Sequence, residues 1–181
     1  MSCCDREVYT IKVDSSNVST ENSNSASFVA YLPIPLVNVV KMEVLSACIT
    51  PTTNASPIVY FHVEELISKF LDRAQVTYTL SSAGASSTVG STSATISNTN
   101  KLAEALVAVP VDTTRAANAP VIYTSGSYFP TSVSYINPIR RLDRLTVNVF
   151  TSTGAYVTTT ENVPTFLTLR FECAKDNKCL Y

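Results

Sequence analysis

The chain has 181 residues, enough for one domain with a substantial core and giving no cause to expect a second. Thirteen Lys and Arg against fourteen Asp and Glu leave a net charge of -1, which argues against the strongly basic footprint of a nucleic-acid-binding domain. Ser, Thr and Asn are abundant, and β-branched and aromatic residues outweigh the helix formers Glu and Lys, so the composition reads as mostly β.

In chain order, "VYTIKVD" (8–14) alternates Tyr9, Ile11 and Val13 against Thr10, Lys12 and Asp14, the pattern of a half-buried strand. A polar loop follows. "FVAYLP" (28–33) predicts a short strand stopped by Pro33 and Pro35, and 37–50 a longer one with Val40, Met42 and Val44 on one face. "IVYFHVEEL" (58–66) is apolar on both faces, as a strand covered from two sides would be. In "ELISKFLDRA" the stripe Leu66, Ile67, Phe70 and Leu71 predicts one or two helical turns, and "QVTYTL" then reads as a strand.

Residues 81–99 hold eleven Ser or Thr in nineteen positions and read as a long exposed loop. "NKLAEALVAV" places Leu102, Ala105 and Leu106 at helical spacing behind an Asn100 cap, predicting a short helix. "APVIYTSG" and "SVSYINP" read as strands. "LDRLTVNVFTSTG" turns Leu142, Leu145, Val147 and Val149 inward, and Gly154 marks the turn out. The last strand, "TFLTLRFEC", puts Leu167, Leu169 and Phe171 inward. The expectation is a single domain with a flexible start (1–7), the Ser/Thr loop and a polar tail (174–181). Roughly eight to ten short strands with few helical stretches favour an antiparallel β-sandwich or barrel, with one or two short helices in loops.

The first ten residues show no basic region followed by an apolar one, and runs such as "PIVYFHV" fall far short of a bilayer span. An intracellular product without a transmembrane segment is expected, in which the sequons at Asn17 and Asn54 arise by chance. Cysteines at 3, 4, 48, 173 and 179 are odd in number and lack zinc-site spacing. Cys48 and Cys173 fall in strands and read as buried thiols, while Cys3, Cys4 and Cys179 are near the termini, where free thiols are favoured over intermolecular disulfides.

Catalytic patterns are sparse. His62 is the one histidine, so neither a His-dependent triad nor a two-His metal site can be assembled. Glu64 and Glu65, if in a strand, point to opposite faces, a poor start for paired carboxylates. Four glycines supply no phosphate-cradling loop, and no serine sits in a nucleophile elbow. No enzyme activity, cofactor or metal is expected.

One cluster stands out: three of the seven arginines, Arg140, Arg141 and Arg144, fall within five positions around Asp143. A nucleic-acid site would extend the basic residues along a face with aromatics among them. Here the local net charge is only +2, and Arg140 and Arg141 alternate sides if extended. Two readings remain: a solvated strand start with one weak Arg–Asp pair, or a protein-docking patch that uses the multi-donor arginine fork.

Two stretches carry a more specific pattern: "YTIKVDSSNVST" with "SASFVAYLPIPLVNVVKMEVLSACI", and "INPIRRLDRLTVNVFTSTG" with "FLTLRFEC". Their order resembles the minor capsid proteins of large icosahedral double-stranded DNA viruses of the nucleocytoplasmic group. The positions that match are Asp14, Ser15, Phe28, Leu32, Val37, Val40, Leu45, Ile49, Ile139, Leu142, Leu145 and Gly154. Thr50 stands between Ile49 and Pro51, where the family tends to place Ile and Pro side by side.

The resemblance implies a single jelly-roll acting as a structural part of the shell. Its partners would be the major capsid protein and other capsid subunits. As a vertex penton it would be a homo-pentamer; as a minor protein it would line the inner surface. It also implies assembly in the host cytoplasm, a place in the virion and no direct contact with nucleic acid. The alternative from the residues alone is a carbohydrate- or receptor-binding β-sandwich, weakened by the absence of tryptophan.

Overall fold

A computed structural model describes residues 6–17, 25–53, 56–66, 105–112, 114–125, 132–160 and 163–175. The first and last described strands are neighbours: β1 (Arg6–Asp14) pairs antiparallel with β7 (Phe166–Ala174) through nine uninterrupted residue pairs. Alternation explains both. In β7, Leu167, Leu169 and Phe171 are fully buried, whereas in β1 only Val13 is, because the N-terminal end of that strand overhangs the core. Arg6 and Glu7, expected to be part of a flexible start, and Ala174, expected in the tail, are therefore paired strand residues.

The two strands expected around Pro33 and Pro35 are one, β2 (Ser27–Ile49). The prolines do not stop it, because they sit where the ladder with β6 (Ser132–Thr151) is already broken. Tyr31 pairs with Arg144 and Leu36 with Leu142, so four β2 residues bulge out opposite Asp143. A proline is tolerated where its missing N–H is not asked to join a ladder. A second irregularity lies at Val40, next to Asn38 with its left-handed φ of 52°. It slips the register against β7 by one residue and turns Val39, rather than Val40, into the core beside Met42 and Val44.

β3 (Ile58–Val63) pairs with the second half of β6 and with β4 (Val107–Pro110), and Glu64–Leu66 closes it as a 3-10 turn. The helix expected from Asn100 is corrected at this point. From Val107 the chain is a strand, with Val107 and Val109 inward, because pairing with β3 outweighs the helical stripe; residues 100–104 lie outside the described set. β5 (Val121–Thr124) pairs with the end of β2. "SVSYINP" and "LDRLTVNVF" are likewise one strand, β6. The readings at 67–80 and 81–99, and the terminal cysteines, fall outside the described residues.

The strands fall into two groups of four that share β2. The later part of β2 pairs with β7, β7 with β1, and the last residues of β2 with β5. The early part of β2 pairs with β6, β6 with β3, and β3 with β4. This is the strand order of a single jelly-roll, an all-β antiparallel sandwich in which two long strands bend from one half to the other. Phe28, Phe61 and Leu145 of one half share one core with Met42, Leu169 and Phe171 of the other.

Candidate functional site

The arginine cluster lies at the bend where β2 and β6 cross between the two halves. Along Ser132–Arg141 no β6 residue is fully buried; Val133, Tyr135 and Ile139 pack half-buried against the core, and Leu142 is the first to enter it. Arg140 and Arg141 are both exposed rather than divided between a buried and a solvated side.

Register places apolar neighbours beside them. Arg144 is the cross-strand partner of Tyr31, and Arg141 that of Val37, with Leu36 and Leu142 between them turned into the core. Ile34 is at the crown of the β2 bulge between its two prolines. Tyr31, Ile34 and Val37 are 75%, 68% and 53% exposed, and Ile136, earlier on β6, is 72% exposed. Large apolar side chains standing this far into water in one place mark an interaction surface more often than isolated exposed residues do. The sequence pattern marked none of these four as a contact residue, Val37 entering only as a position of the family resemblance; the signal available was an isoleucine held between two prolines inside an apolar strand pattern.

The electrostatics divide the arginines. Arg141 Nε donates to Asp143 at 2.9 Å, both side chains mostly in water. Arg144 Nε lies 3.4 Å from Glu65 Oε1. Among the described residues Arg140 has no carboxylate partner within ion-pair distance. The corner thus carries three guanidiniums against two carboxylates.

Glu65 does more than pair with Arg144. β3 ends at Val63 opposite Val147, so the next outward amide of β6, at Thr146, has no β3 residue to bond. Glu65 takes that place: Thr146 N–H donates to Oε2 at 2.7 Å and the Thr146 hydroxyl to Oε1 at 2.7 Å. Asn148 Nδ2 donates to Glu64 at 3.2 Å, while the Ser27 hydroxyl donates to Asn148 Oδ1 at 2.9 Å. Because the two glutamates sit in a 3-10 turn and not in a strand, they do not diverge; both reach the same side of β6.

His62 is 1% exposed and its ring packs edge-on against Phe150, with centroids 6.2 Å apart. Among the described residues no group of His, Cys, Asp or Glu could hold a metal ion, and no helix is long and apolar enough to cross a membrane. Cys173 is buried and Cys48 half-buried, both as free thiols whose pKa burial pushes up. An open pocket of about 260 Å³ lies elsewhere, between the turn after β6 and the start of β3, lined by Ser56, Arg115, Ser152, Thr153 and Tyr156 among others.

No protein-family model matches the chain, and no curated protein matches it at a significant level.

Proposed function

We propose that the chain is a structural component of a large icosahedral virus capsid, docking on neighbouring subunits through the bend of β2 and β6. It serves either as a minor protein bound to major capsid capsomers or as a vertex penton, assembled in the host cytoplasm. The observation that carries this reading is the corner itself. Tyr31, Ile34 and Val37 are presented to solvent on a jelly-roll, with arginines directly across the ladder. Apolar anchors flanked by arginine are what protein interfaces are enriched in, and a bulge stiffened by Pro33 and Pro35 presents them with little conformational entropy to lose on docking. The resemblance of the two sequence stretches supplies the capsid context. The test is co-purification with virions in fixed stoichiometry; recovery from infected-cell lysate alone would contradict the proposal.

A second reading, a carbohydrate- or receptor-binding module, draws on the pocket beside Tyr156. It ranks lower because the Ser56 hydroxyl lining that pocket already bonds within the chain. The Ser56 hydroxyl donates to the Ile58 carbonyl at 2.5 Å and accepts the Ser152 amide at 3.0 Å. A glycan array on which the purified chain binds a defined oligosaccharide, and loses it on Tyr156→Ala, would favour this reading over docking.

A further inference from the structure

The opposite end of the sheet order carries a separate feature. β1 is an edge strand, and among the described residues nothing pairs with its outer side. It is nine residues long, with no proline, no bulge and no register shift against β7, and its charged residues are Arg6, Glu7, Lys12 and Asp14. Val8 is 52% exposed and Tyr9 36% exposed, each on a different face of the strand.

From this edge we infer that a second copy of the chain adds to it, β1 against β1 and antiparallel about a two-fold axis through Thr10. Two rules fix the register. In an antiparallel pair, directly opposite residues either both turn their backbone groups toward the partner or both turn them away. In a two-fold pairing of one edge with itself, the axis must then pass through a residue. The axis positions available around the middle of β1 are Tyr9, Thr10 and Ile11.

An axis through Tyr9 sets Arg6 against the second copy's Lys12, two like charges face to face. An axis through Ile11 sets Val8 against Asp14 and leaves Arg6 beyond the ladder. An axis through Thr10 sets Arg6 against Asp14, Glu7 against Val13, Val8 against Lys12 and Tyr9 against Ile11, and repeats each pair on the other side. Only this register gives opposite charges at both ends and an apolar contact for the exposed Tyr9. Lys12, often a residue that guards an edge, has its ammonium 4.6 Å from the Phe166 ring centre of its own chain, so its stem lies along the sheet instead of standing off from it. The result is one continuous sheet running through both copies. This pairing does not depend on the capsid reading, since its evidence is the edge and not the corner.

The register makes the test specific. In a Cys3→Ser, Cys4→Ser, Cys179→Ser background, Thr10→Cys places two thiols across the axis at cross-strand distance. Mild oxidation then yields a disulfide-linked dimer. Val8→Cys alone does not cross-link, but an equal mixture of Val8→Cys and Lys12→Cys chains does. Independently of any thiol, sedimentation equilibrium reads the dimer directly. Val8→Lys faces the second copy's Lys12 twice and weakens the dimer by about fivefold to tenfold, whereas Val8→Glu tightens it by a similar factor. Both lie on an exposed position, and an unchanged thermal midpoint at dilution shows that the fold is intact. A chain that sediments as a monomer at every concentration, or a dimer indifferent to Val8→Lys and cross-linking equally from all three positions, would overturn the inference.

Discussion

Glu65 reaches Thr146 twice, accepting its backbone N–H and its hydroxyl at 2.7 Å each, and so completes the β6 ladder one step past the end of β3. The corner that bears the arginines is held by a carboxylate acting in place of a strand residue. Arg144 is attached to that same carboxylate but is more than half exposed, so its contribution to stability is small.

The two roles separate by mutation. Glu65→Ala leaves a part-buried amide without its acceptor and costs about 1–3 kcal/mol. Arg144→Ala breaks only an exposed ion pair and costs roughly 0–1 kcal/mol. Urea denaturation midpoints at constant slope measure both. Equal losses would mean that Glu65 matters as an ion-pair partner and not as a ladder acceptor.

Asn38 precedes the second bulge of β2 with a φ of 52°, a region that asparagine tolerates and β-branched residues do not. Asn38→Val is expected to cost about 1–2 kcal/mol, and Asn38→Gly clearly less. Because the bulge sets which residue enters the core, the valine variant should also loosen Val39. Faster amide exchange at Val39 and Met42 in Asn38→Val than in Asn38→Gly is the observable.

Stability should fall in acid through Glu172. Its carboxyl is held below the usual glutamate range, first by the hydrogen bond from Arg6 at 2.7 Å and further by Lys41 at 3.3 Å, against a desolvation that works the other way. A folded-state pKa below the unfolded one means a contribution fully present above about pH 4.3, the unfolded value, and lost as pH falls through the folded one. Arg6 is half in water, so the effect is at most about 1 kcal/mol and shrinks with added salt. Glu172→Gln should flatten the acid limb of the thermal midpoint against pH, and an unchanged limb would place the acid sensitivity elsewhere.

Local alternation made much of this fold legible in the sequence. Leu167, Leu169 and Phe171, and Leu145, Val147 and Val149, are inward as their spacing demands. Failures came where register decides. Nothing local says that Pro33 and Pro35 fall opposite Asp143 inside a bulge, so one strand read as two. Val107 and Val109 followed a helical stripe whose competitor, the β3 ladder, lies over forty residues away in the chain. Arg140, Arg141 and Arg144 were visible as a cluster, but Tyr31 and Val37 became their neighbours only through pairing across more than a hundred residues. That is why the arginines could be named from sequence and the apolar half of the corner could not.

The most direct test of the docking corner is incorporation into particles. Tyr31→Ser, Ile34→Ser and Val37→Ser together touch only exposed side chains, so the triple variant should fold with a thermal midpoint close to that of the parent. On the capsid proposal, particles purified from cells in which it replaces the parent chain should then lack it, or hold it far below the parent stoichiometry. Incorporation of the folded triple variant at the parent stoichiometry would contradict the account.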